Sequence, residues 1–385
     1  MDFKSRLIHA GLDRDPFTGA AGVPLYLAST FDQRKALSPG YDYTRSGNPT
    51  REALERAIAD LEGGAAGLAF ASGLAAISTI LLIFNPGDHL VVSEDVYGGS
   101  FRVLTKVFQR WGLGVSFVDA ADARAVENAL TPATRGLFVE SPSNPLLKIA
   151  DLSFIAGLAK ERRLLSIVDN TFATPCLQRP LELGFDVVVH SATKFLNGHS
   201  DILAGLAAVR DKELAEKLLY LQNAIGAVLG VQDSWLLLRG LKTLAVRMEA
   251  SQAGAACLAL KLAARPEVKR VYYPGLEGHP GKDIHDRQAS GPGAIVSFEL
   301  ESEELTRHFL SRVRLPLVSV SLGGVESILS HPATMSHASM SPEERTERGI
   351  SPALLRLSVG LENPEDLWAD FEQAWRLDAI EPHAS

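Results

Sequence analysis

Two short stretches hold the residues best suited to chemistry: residues 168–175 read VDNTFATP, and residues 190–201 read HSATKFLNGHSD. Asp169 closes the apolar run LLSIV and Lys194 follows DVVVHSAT, so the two lie about one strand–helix–strand step apart. A lysine amine can hold a carbonyl carbon as an imine, and a carboxylate can keep a ring nitrogen protonated so that the ring withdraws electrons. Together they are what a pyridine-aldehyde cofactor requires of a protein. Ser191 and Thr193 flank the lysine with hydroxyls that can reach phosphate oxygens. The same residues also suit plainer uses, because most lysines are solvated and an aspartate after a strand commonly caps a helix.

Other candidates are scattered. Ser72-Gly73-Leu74 precedes the helical AAISTILLIF, and free amides at a helix N-terminus bind anions; a small-residue turn packed closely is the alternative. Arg356 interrupts the apolar run LLRLSVG, where a charge is costly unless paired with a ligand carboxylate or an internal acid. Cys176 and Cys257 are the only cysteines, and with no C-x-x-C or H-E-x-x-H motif neither a disulfide framework nor a metal centre is expected. Both read as packing residues.

These side chains need a scaffold. Residues 1–50, rich in Gly, Pro, Thr and Tyr, read as an extended N-terminal arm. TREALERAIADLEG then places Leu54, Ile58 and Leu61 at helical spacing and stops at Gly63-Gly64. Seven short apolar runs follow, from GLAFAS to LAGLAAV, alternating with helical patterns, which predicts an α/β domain with a large, mostly parallel sheet over residues 51–248. Polar residues end these runs at Glu94-Asp95, Glu140, Asp169 and His190-Ser191, the edge where open α/β sheets bind ligands. A long helical stretch from about Gln232 to Ala264, interrupted by Gly240 and Gly254, leads into a smaller C-terminal α+β domain over 249–385, with RVYYPG, GAIVSFEL and LLRLSVGL as its strands.

Composition excludes several classes. The 385 residues carry a formal charge of −8 and no basic cluster, which argues against nucleic acid as a partner. The longest apolar stretch, Ala75 to Phe84, is too short to span a bilayer, and the N-terminus lacks a signal core, so a cytoplasmic protein without membrane association is expected. There is no G-x-G-x-x-G opening a helix after a strand, as a dinucleotide-binding dehydrogenase would carry.

The pattern D-N-T-x-x-T-P followed by H-S-x-T-K-F-x-x-G-H-x-D resembles the pyridoxal-phosphate (PLP) attachment signature of the Cys/Met-metabolism enzymes, the cystathionine synthases and lyases. YDYTRSGNPT, FASGLAAI, EDVYGGSFR, ESPSNPLLKI, SLGGVESILSHPATMSHASM and LLRLSVGLENPEDL extend the likeness over nearly the whole chain, in order. The resemblance implies the fold-type-I, aminotransferase-like architecture and a homotetramer built from dimers. It implies Lys194 as the cofactor's covalent anchor, Asp169 on the pyridine nitrogen, Tyr97 stacked on the ring and able to move a proton, and Ser72, Gly73, Leu74, Ser191 and Thr193 around the phosphate. Tyr43 and Arg45 would reach the phosphate in the neighbouring subunit. Arg356 would bind the substrate α-carboxylate, with Asn144 and Ser321 orienting ring and arginine.

The implied reaction cleaves a carbon–sulfur bond of an amino-acid thioether. Val320, where many γ-synthases and eukaryotic-type γ-lyases carry glutamate, is closer to β-lyase-like and methionine-lyase-like patterns, and Gly99, where methionine γ-lyases typically carry cysteine, lowers the methionine-lyase reading, so cystathionine β-lyase is preferred. Cystathionine γ-lyase and γ-synthase are the alternatives, and homocysteine desulfhydrase activity could accompany either lyase. Arg102 matches an arginine implicated in holding a second carboxylate. A non-catalytic PLP-fold binding protein is the competing class, disfavoured because it has no chemical need for Lys194, Asp169, Tyr97 and Arg356 together.

Overall fold

All seven apolar runs between residues 66 and 209 are strands of one sheet: Ala66–Phe70 (β1), His89–Ser93 (β2), Gly114–Val118 (β3), Thr134–Glu140 (β4), Leu165–Asp169 (β5), Val187–Ser191 (β6) and Gly205–Val209 (β7). In the computed structural model, which describes residues 1–11, 15, 18–35, 40–338 and 340–376, their order is β1-β7-β6-β5-β4-β2-β3. Pairings among β2 to β6 are parallel, and β7 alone runs against its neighbours β1 and β6. Successive residues serve opposite faces: Leu137 and Val139 join one buried cluster, Phe138 and Ile167 the other. Burial on both sides is why the runs are continuous rather than alternating.

The helix Pro49–Glu62 forms where its spacing predicts, with Asn48 accepting from the Thr50 N–H and Gly63 ending it at φ 73°. The N-terminal arm is less extended than its composition implies. Asp2 caps a helix at Phe3–His9, and Leu7 packs into the main core.

A second sheet has the order β10-β11-β12-β9-β8, built from Val268–Tyr272 (β8), Ile295–Leu300 (β9), Leu317–Val318 (β10), Ile328–Ser330 (β11) and Leu354–Ser358 (β12). The strands β10 and β11 have no counterpart in the sequence reading, being too short to show a period. Helices Glu303–Arg312 and Pro364–Trp375 cover this sheet with an aromatic core in which Phe309 stacks on Trp375 at 5.1 Å.

The expected long helical stretch is two helices, Val231–Leu241 and Leu244–Ala263. The break falls next to Gly240, whereas Gly254 lies inside the second helix, where a Cβ would come within 3.0 Å of Val359. Gly254 is there for close packing and does not end the helix. Leu244 and Met248 belong to the first core, and Ala255, Leu258 and Leu262 to the second. Residues 377–385, the end of the expected C-terminal domain, lie outside the described residues. Among the described residues no helix is long and apolar enough to cross a membrane.

Candidate active site

The carboxyl ends of β4, β5 and β6 bring Glu140, Asp169 and Ser191 to one edge, with Glu140 and Asp169 paired in register. A cavity of about 370 Å³ opens there. Of the fourteen residues singled out from the sequence, twelve line it; Tyr43 and Arg45 do not.

Asp169 is buried and accepts from the Thr171 N–H at 3.0 Å and its hydroxyl at 2.5 Å. Burial raises its carboxyl above the usual range, against the pull of the Thr171 bonds. A cationic ring nitrogen beside it would reverse that balance.

Lys194 sits in the loop after β6. The loop is clamped by the buried Arg247, which donates to Phe195 O at 2.6 Å and Gly240 O at 2.8 Å. Gly198, at φ 75°, is required because a Cβ would fall 2.0 Å from Arg247 Nη1. Lys194 Nζ donates to Ser321 Oγ at 2.5 Å. Burial, helped by the charge of Arg356, lowers the ammonium to about 8, so a neutral, nucleophilic amine is accessible near physiological pH.

Arg356, on β12, is 3% exposed. Its partners are Asn144 Oδ1 at 2.7 Å, Ser321 O at 2.7 Å and Ser330 Oγ at 3.2 Å, and Nε has none. No carboxylate lies within ion-pair distance among the described residues, so the internal ion pair considered from the sequence is not formed. A buried guanidinium among neutral acceptors is a standing demand for an anion. Ser321, at φ 89°, is strained for a residue with a Cβ; that backbone lets its carbonyl meet Arg356 while its hydroxyl meets Lys194.

Ser72 caps the helix Gly73–Leu81 through the Ala75 N–H, which leaves the amides of Gly73 and Leu74 for an anion. A Cβ on Gly73 would lie 2.9 Å from Ser191 Cα, and one on Gly205 would lie 2.2 Å from Ser72 O. The helix start is therefore pressed against the β6–β7 edge. Gly73→Ala is expected to weaken PLP binding by roughly tenfold through overpacking, measured by titrating the apoprotein, with far-ultraviolet circular dichroism unchanged. Thr193 Oγ1 is engaged by the Ala204 backbone, whereas the Ser191 hydroxyl makes no hydrogen bond among the described residues.

Tyr97 presents its ring at the cavity, 46% exposed. Arg102 is exposed at the rim and has no ion pair among the described residues. Tyr43 and Arg45 line a separate depression, with Arg45 donating to Asn223 Oδ1 at 3.1 Å. Sequence reasoning passed over Glu140, Thr171 and Ser336 as site residues. Glu140 was visible as a strand-end acid, and Thr171 as the residue two beyond an aspartate, an Asx-turn spacing. A roomier cleft of about 590 Å³ includes Lys148 and Asp119, but that lysine is already neutralised by Glu94 and Asp119.

An amine of lowered pKa, a buried carboxylate, a helix N-terminus with a free hydroxyl beside it and an exposed phenol ring fit PLP. The comparisons agree. The model of the family described as "Cys/Met metabolism PLP-dependent enzyme" matches residues 4–376. Cystathionine beta-lyase MetC of Bacillus subtilis (strain 168) is 56% identical over 372 residues, 96% of this chain and 95% of that protein. Cystathionine gamma-lyase of the same organism is 50% identical over 375 residues, 97% and 99% of the two chains. The crystal structure of cystathionine gamma-lyase from Lactobacillus plantarum complexed with L-serine superposes with a TM-score of 0.96 at 47% identity, covering 97% of this chain and 98% of that one. The chain thus has the fold-type-I architecture, uses PLP and belongs to the Cys/Met-metabolism family of PLP-dependent enzymes.

Proposed function

We propose that the protein is a carbon–sulfur lyase that cleaves cystathionine by β-elimination to homocysteine, pyruvate and ammonia. One observation carries this reading: a single cavity holds two arginines without acidic partners, Arg356 deep and Arg102 at the rim. They suit a substrate with an amino-acid group at each end. PLP, when bound, supplies an electron-withdrawing ring that stabilises charge at the substrate α-carbon. Arg356 binds the α-carboxylate in the two-pronged geometry a guanidinium favours. Lys194 serves as the base for the α-proton, and its low pKa keeps it neutral often enough to do so. Asp169 would sit against the ring nitrogen and stabilise its positive charge. Tyr97, which lines the cavity, would cover the ring and could protonate a departing thiolate; a Cβ at position 99 would meet the Tyr97 ring at 2.4 Å, so Gly99 leaves the phenol free.

Loss of sulfur from Cβ needs only the first deprotonation, whereas loss from Cγ needs a second activation at Cβ. The γ-lyase reading stands second, supported by the 50% identical Bacillus relative and the Lactobacillus structure. Supplying cystathionine and identifying the keto acid separates them: pyruvate is expected, and 2-oxobutyrate would overturn β-elimination. Arg102→Ala is expected to lower kcat/KM for cystathionine by about 30-fold while changing turnover of a short S-alkylcysteine less than threefold. Equal losses would remove Arg102 from substrate selection. We further propose a cytoplasmic homotetramer, a dimer of dimers, in which Tyr43 and Arg45 of one copy complete a neighbour's phosphate site. Their exposure away from their own cavity supports this arrangement.

A further inference from the structure

We propose that Glu140 is a positioning residue, fixing Tyr97 over the cofactor's site by accepting its backbone N–H from the strand beside Asp169. This rests on the PLP reading of the cavity. The Tyr97 N–H donates to Glu140 Oε2 at 3.0 Å, and this is the only hydrogen bond of the Glu140 side chain among the described residues. Tyr97 begins the helix Gly98–Lys106 without a side-chain cap, so the turn that carries its ring is tied to the sheet edge at this point. The segment is also pinned from above, since a Cβ on Gly98 would come within 2.6 Å of Ser336 O. Glu140 therefore transmits the position of β4 to the ring of Tyr97.

The charged form of Glu140 is disfavoured where it sits. It is 6% exposed, and its register neighbour is Asp169. Burial and the charge of Asp169, with a smaller contribution from Asp95, push its carboxyl well above the usual range; the Tyr97 N–H and Arg356 pull the other way. Two adjacent buried carboxylates do not both ionise readily. In either protonation state an oxygen of Glu140 can accept from the Tyr97 N–H.

The test compares Glu140→Gln, which keeps an acceptor oxygen without charge, with Glu140→Leu, which keeps bulk without an acceptor. The Gln variant is expected to retain PLP affinity, kcat and its pH profile within about threefold. The Leu variant is expected to lose roughly ten- to thirtyfold in kcat, the size of one lost hydrogen bond to a buried group, and to change the visible circular dichroism of the bound cofactor, which reports how the ring sits against Tyr97. A Gln variant as impaired as the Leu variant, or a Leu variant with unchanged dichroism, would overturn the proposal. Failure of all three proteins to bind PLP would instead overturn the cofactor reading beneath it.

Discussion

Replacing Lys194 by Ala is expected to reduce turnover by about 10⁴-fold, the upper range for losing a positioned base, with the added loss of the covalent anchor. Purified Lys194→Ala should lack the visible absorption of lysine-bound PLP, while its melting temperature stays near wild type. The fold is spared because the side chain's hydrogen bond to Ser321 Oγ joins two groups that water can serve in an open cavity. Retained turnover above about a hundredth of wild type would refute the assignment. The pH dependence follows from the same amine. Only the neutral form attacks an aldehyde, and with a pKa of about 8 about a tenth of Lys194 is neutral at pH 7, against a few parts in ten thousand for an ordinary lysine. Reloading of apoprotein with PLP should therefore accelerate as pH rises and level off above about 8. A rate still climbing steeply beyond pH 10 would mean that the amine is not depressed.

Asp169→Asn is expected to cost between about 30-fold and several thousandfold in kcat, corresponding to roughly 2–5 kcal/mol for removing one member of a buried charge pair. The amide oxygen can still accept from Thr171, which occupies Asp169 Oδ1, so the turn after β5 should survive. What the substitution removes is the negative charge proposed to keep the ring nitrogen protonated. Steady-state kinetics beside PLP titration of the apoprotein would show the loss chiefly in kcat. Equal behaviour of Asp169→Asn and wild type would move the charge partner elsewhere on the sheet edge.

The strands of the first sheet were legible because each is buried on two faces and therefore continuous in sequence. Asp169 and Lys194 were legible for the same reason: each follows such a strand, and neighbouring parallel strands end at one edge. Other parts of the site depend on contacts that no local pattern encodes. Asn144 meets Arg356 across 212 residues, and Glu140 meets the Tyr97 amide across 43. Gly198 of KFLNGH is required by the guanidinium of Arg247, which lies far off in sequence on the helix Leu244–Ala263. The helix at Phe3–His9 was missed inside a stretch whose average composition is loop-like, since one capped turn and a single buried leucine are diluted by their surroundings.

The helix Leu244–Ala263 has a mechanical consequence. Its 20 residues make a rod roughly 30 Å long, with one end embedded in the core beneath Lys194 and the other in the core beneath Arg356. It acts as a spar whose straightness bears on the alignment of the proposed base with the proposed carboxylate clamp. A shift of about 1 Å between reacting groups can cost 10²-fold, so a bend too slight to disturb either core would detune the reaction. Gly254, pressed against Val359, is the place where a single added methyl would act as a shim.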